Sequence, residues 1–151
     1  MTVVIAGYGT RGEGTETLCG EVYRFLAKRS SCCLVAEKRL HVCPATVLSV
    51  NTSVTIEMEQ PDFAAETQQN IVRRIGTLIG QTWKKRPIGE QIRLSEIWSV
   101  VRDTPNVRTI KRILIEASYD QEGQQKLVAL EADLDFPFGV AESGMHLVRL
   151  S

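Results

Sequence analysis

A chain of 151 residues, 43% hydrophobic and 24% charged, holds enough apolar side chains for one packed domain, which excludes wholesale disorder and a fibrous repeat. Its 18 basic residues balance 18 acidic ones, removing the electrostatic footprint that sequence-independent nucleic-acid binding needs. No apolar run approaches the ~20 residues of a membrane span, and the start lacks a basic segment followed by a long apolar stretch, so the expected setting is the cell interior.

Residues 2–6, "TVVIA", read as a short strand that ends at the glycines 7, 9, 12 and 14. From Thr15 a helical spacing gathers Leu18, Val22, Phe25 and Leu26 on one face, and Ser30 and Ser31 close it. "CCLVAEKRLHVCP" is strand-like, with Leu40 and Val42 alternating against Arg39 and His41 until Pro44 interrupts the pairing. The clearest signal follows. In "TVLSVNTSVTIEMEQ", Leu48, Val50, Thr52, Val54, Ile56 and Met58 share one face, and polar residues share the other, as in a long strand with one wet side.

Pro61 and Asp62 predict a helix start, with the aspartate as cap, and Ile71, Val72, Ile75, Leu78 and Ile79 recur at helical spacing up to Gly80. Ser95 is the expected cap of a second helix carrying Ile97, Trp98, Val100 and Val101, stopped by Pro105 and Asn106. "VRTIKRILIEASY", a turn at "DQEG" and "QKLVALEADLDF" make a hairpin, and "MHLVRL" a last short strand. The order predicts an α+β fold: a mostly antiparallel sheet with two or three helices on one face, a two-layer sandwich of ferredoxin-like general character. All 151 residues are expected to form one domain, with residues 1–14 as a remnant of a preceding one.

Gly7, Gly9 and Gly12 satisfy G-x-G-x-x-G after an apolar run, with Glu37 as the would-be ribose partner. In a dinucleotide site the third glycine opens the helix so that its N-terminus meets the pyrophosphate, whereas Glu13 and Gly14 intervene here. Glu37 lies 25 residues past Gly12 where ~20 is usual, and the chain continues with a half-wet strand and two helices in succession. A glycine-rich connection explains the stretch better than a nucleotide cradle does.

Other chemistry is weaker still. The spacing of Cys19, Cys32, Cys33 and Cys43 matches no zinc framework, and free thiols are expected. His41 and His146 lie in no recognisable catalytic motif, and packing or surface roles fit them better. Asp133 and Asp135 share a strand face but read as solvated. Lys84, Lys85 and Arg86 beside Trp83 suit a solvated loop or a protein contact better than a base-stacking patch. No catalytic, cofactor-binding or metal site is predicted.

The segments "EVYRFLAKRSSCCLVAEKRLHVCPATVLSVNTSVTIE" and "WKKRPIGEQIRLSEIWSVVRDTPNVRTIKRILI" read together resemble the C-terminal region of baseplate J-like proteins, wedge components of contractile phage tails and related injection machines. Val22, Phe25, Leu26, Val42 and Pro44, then Pro87, Gly89, Ile92, Leu94, Ser95, Ile97, Pro105, Val107 and Ile110, carry the likeness, and Ser143, Gly144 and His146 resemble the family's final strand. The resemblance covers roughly residues 20–150. It implies a structural, non-enzymatic module without cofactor, metal or small-molecule substrate, which binds other baseplate wedge proteins and copies of itself rather than nucleic acid or membrane. It also implies assembly in a bacterial cytoplasm into a tail baseplate or injection particle. Aromatic and arginine side chains anchor interfaces, so Trp83, Arg86 and Trp98 are the protein-contact candidates. The alternative is a small dinucleotide- or ligand-binding domain using the Gly7–Gly9–Gly12 loop.

Overall fold

The structure, a computed structural model, describes residues 1–5, 13–30, 39–80, 88–89, 91–121, 124–130 and 139–151. They divide into two compact units, Met1–Thr46 and Val47–Ser151.

In the first unit, strand β1 (Thr2–Ile5) pairs in parallel with β2 (His41–Pro44), from Thr2 opposite His41 to Ile5 opposite Pro44. Parallel neighbours need a long crossover, and helix α1 (Glu13–Ala27) lies within it and packs on β2. Pro44 does not interrupt the pairing as expected. It occupies the last strand position, where its missing N–H costs little, and the next residue, Ala45, donates its N–H to the Ile5 carbonyl at 2.8 Å. The predicted apolar face of α1 is only partly used: Val22 and Leu26 are half-buried, whereas Leu18 and Phe25 are exposed. The Arg29 guanidinium lies 3.8 Å from the Phe25 ring centroid and shields part of that surface.

The second unit is built on the long strand the alternation predicts. β3 (Thr46–Met58) buries Leu48, Val50, Thr52, Val54 and Ile56 on one face. A 3-10 turn (Pro61–Phe63) leads into helix α2 (Ala64–Gly80), which buries Ile71, Ile75 and Ile79 at four-residue spacing. Gln60, not Asp62, is the cap residue of that turn, with Pro61 in its first positions. Helix α3 (Leu94–Arg102) buries Ile97 and Val101. Its start corrects the Ser95 expectation: Arg93 is the cap residue, and its backbone N–H donates to Glu96 Oε2 at 3.5 Å. Ser95 sits two positions past the cap, where its carbonyl accepts the Ser99 hydroxyl.

β4 (Val107–Gln121) runs antiparallel to β3 and to β5 (Gln124–Leu130). β6 (Gly139–Leu150) closes the sheet in the order β5-β4-β3-β6. Three links fix its direction. Met145 meets Asn51, His146 meets Thr52 and Ser151 meets Ile56, at separations of 94, 94 and 95 residues. A constant separation means that both strands advance together, so β6 is parallel to β3.

The α+β class therefore stands, but not the antiparallel ferredoxin-like sandwich: one sheet is mixed and the other is a two-stranded parallel pair. Side-chain alternation is the same in parallel and antiparallel partners, so the sequence pattern could not report strand direction. Helices α2 and α3 pack on β6 and β4 respectively and share one apolar core with β3, around Ile56, Ile71, Ile75, Ile97, Val101 and Ile115.

Candidate functional site

β6 is the element on which the unit's exposed apolar side chains collect. Within "GMHLVRL" the odd positions face away from the helices: Met145 and Leu147 are 76% and 46% exposed, and Leu150 beyond them is 40% exposed. His146 and Val148 between them turn toward the core, half-buried and buried. Among the described residues β6 has a strand neighbour on one side only, so it is a sheet edge 12 residues long. The adjoining outer face is polar, with Ser49, Asn51, Ser53 and Thr55 on β3 opposite Ser118, Glu116, Leu114 and Arg112 on β4. Toward its far end Lys111 Nζ lies 3.0 Å from Glu57, and that hydrogen bond and charge hold the Glu57 carboxyl below the ordinary carboxylate range.

The inner side of β6 is held by a polar chain that the core pattern did not predict. Thr52, 3% exposed among the aliphatic residues of β3, places Oγ1 3.0 Å from His146 Nδ1, and His146 Nε2 lies 2.7 Å from Ser143 Oγ. Burial pushes the imidazole below its usual range, so at neutral pH it is uncharged, with one ring nitrogen donating and the other accepting. Ser143 in turn backs onto the end of α2. A Cβ at Gly80 would lie 2.5 Å from Ser143 Cβ, and one at Gly76 would lie 3.5 Å from Ser143 Oγ. α2 further holds β6 through Gln68 Nε2, which donates to the Val148 carbonyl at 3.0 Å. Gly80→Ala is accordingly expected to lift β6 from α2 and cost about 1–3 kcal/mol by urea unfolding, the usual range for overpacking.

Trp98 lies on α3, 39% exposed, so it presents surface rather than filling the core. Trp83 and Arg86 lie outside the described residues, as do Lys84 and Lys85, the Gly7–Gly9–Gly12 loop, Glu37, Cys32, Cys33, Asp133 and Asp135. His41 is exposed on β2, Cys19 is a buried free thiol, and the half-buried Cys43 thiol points to the Val3 carbonyl at 4.0 Å. No group of three or more His, Cys, Asp and Glu side chains able to hold a metal ion occurs among the described residues. Nor is any helix among them long and apolar enough to cross a membrane.

Neither the protein-family models nor the curated proteins contain a match to this chain. The reading of the site therefore rests on its geometry. The alternation in "MHLVRL" was the available signal for the exposed row, but which of its two faces the helices cover is decided by how α2 lies on β6.

Proposed function

We propose that the chain is a structural, non-enzymatic module of a phage-type tail baseplate or related injection machine, acting through protein–protein contacts along β6 and around Trp98. The observation that carries this reading is the edge strand with Met145, Leu147 and Leu150 exposed along it. A long edge presents main-chain donors and acceptors together with apolar side chains, the combination by which a partner strand is added. Single exposed apolar residues are ordinary, whereas three on one edge strand mark a contact surface. The sequence resemblance supplies the class of partner: other wedge proteins, and copies of the chain itself. Trp98 on α3 supplies an aromatic anchor apart from β6, and Trp83 and Arg86 remain contact candidates from the sequence.

The test is co-expression with baseplate wedge proteins of a contractile tail, followed by co-purification and measurement of solution mass. The double variant Met145→Lys, Leu147→Lys is expected to lower co-purification by about tenfold or more, while changing stability by only about 0.5 kcal/mol, because both side chains are on the surface. Equal recovery of wild type and variant, or turnover of a metabolite by the purified chain with no affinity for tail proteins, would overturn the proposal. Saturable dinucleotide binding lost on Gly9→Val would favour the ligand-binding alternative instead.

A further inference from the structure

We propose that His146 is an acid-sensitive latch on the inner side of β6, whose protonation loosens the segment around residues 143–148 and so weakens the contact strand. The inference rests on the reading of β6 as that strand, but the latch itself can be measured with no partner present.

The geometry is a bridge between elements. The imidazole joins Thr52 on β3 to Ser143, the residue that seats β6 against the C-terminal end of α2. A neutral ring satisfies two hydroxyls by donating to one and accepting from the other. A protonated ring only donates, so both hydroxyls must accept and send their own protons elsewhere. For Thr52, 3% exposed in an aliphatic face, an alternative acceptor is hard to reach and water is excluded.

Among the described residues nothing compensates the charge. The described charged residues on the three elements are Glu57 on β3, Glu66, Arg73 and Arg74 on α2, and Glu142 and Arg149 on β6. Burial is the one cause of the shift at His146, and none of these carboxylates offsets it. The remaining ties do not titrate: Asn51 Oδ1 accepts the Met145 N–H at 2.7 Å, Gln68 holds Val148, and the Ser151 N–H donates to the Ile56 carbonyl at 3.0 Å. These ties confine the loosening to the stretch around the histidine.

The sign follows from linkage. In the loosened strand the imidazole titrates near its ordinary 6.5, and in the packed strand below it. The packed form is therefore fully favoured above that value, and its advantage is lost as the pH falls from 6.5 to the depressed pKa.

The experiment is amide hydrogen exchange on the full chain at about pH 7.5 and about pH 5, corrected for intrinsic exchange, with the imidazole titration followed by NMR. Protection at residues 143–148 is expected to fall by about three- to tenfold at the lower pH, starting near pH 6.5 and levelling off at the pH where the packed imidazole titrates. The fall should persist in His41→Gln and vanish in His146→Gln, whose amide can still both donate and accept. Should His146→Gln fold poorly, a fall in the wild type that ends where the imidazole titrates decides alone. Flat protection, a fall that continues well below the imidazole titration, or an unchanged fall in a folded His146→Gln would sink the latch. If the fall occurs but no tail protein is captured at either pH, the latch stands and the assembly reading fails.

Discussion

Gly144→Ala is expected to cost about 2–4 kcal/mol of folding stability, combining overpacking with the loss of one hydrogen bond. A Cβ at this position would run into Asn51 Oδ1, and would lie 2.7 Å from Ser49 Oγ and 3.0 Å from the Val50 carbonyl oxygen. Ser49 can rotate away. Asn51 cannot do so freely, because its Oδ1 accepts the Met145 N–H at 2.7 Å, and the Val50 contact is main chain. The strand must then move off β3 or give up the Asn51 bond, and either outcome disturbs the row that carries Met145 and Leu147. Urea unfolding should show the loss. A double-mutant cycle with Asn51→Ala identifies its cause: Asn51→Ala alone removes one bond, about 1 kcal/mol, but also removes the atom that a methyl would strike. The double variant should therefore cost clearly less than the sum of the singles. A Gly144→Ala protein within about 0.5 kcal/mol of wild type would show that β6 does not approach β3 this closely.

Asn106→Ala is expected to cost about 3–4 kcal/mol, and Asn106→Gly about 1 kcal/mol less. Asn106 sits at φ 69°, in the left-handed region where a β-carbon is strained and asparagine is better tolerated than most residues. Its side chain does what a short strand partner would do. Oδ1 accepts the Gln60 N–H at 2.7 Å, and Nδ2 donates to the Gln60 carbonyl at 2.9 Å and to Thr67 Oγ1 at 3.0 Å. Those bonds fasten the start of β4 to the exit of β3 and the first turn of α2. Alanine loses all three, leaves the hydroxyl of buried Thr67 without this donor and keeps the strained backbone, whereas glycine loses the bonds but relieves the strain. The gap between the two variants thus isolates the conformational part, and equal stabilities would refute the claim that the backbone contributes.

Which of these features could be read in advance depends on how local their causes are. β3 was legible residue by residue, because one buried face imposes a period of two on Leu48, Val50, Thr52, Val54 and Ile56. The same holds for α2, whose Ile71, Ile75 and Ile79 repeat at the helical period. Pro105 and Asn106 announced the break after α3, although the three side-chain bonds of Asn106 join residues 39 and 46 positions apart, which no local pattern can specify. The caps were misread at Asp62 and Ser95, where favourable residue types each lie two positions past the true caps Gln60 and Arg93.

The candidate site was legible only in part. Trp98 was named a contact candidate from its residue type alone, and the placement of α3 leaves it 39% exposed. Thr52 looked like an ordinary member of an apolar face, and nothing in the 94 residues separating it from His146 announces that their side chains meet.

By itself the amino-acid sequence determined the α+β class, the long half-wet strand, the two amphipathic helices and the hairpin, because each of these follows from the spacing of apolar residues and breakers over a few turns of chain. Only the tertiary structure decided that β6 runs parallel beside β3, that Gly80 and Gly144 give it room, and that among the described residues Met145 and Leu147 stay exposed at a sheet edge. Strand direction and edge position come from pairing across many intervening residues, and hydrophobic alternation is blind to both.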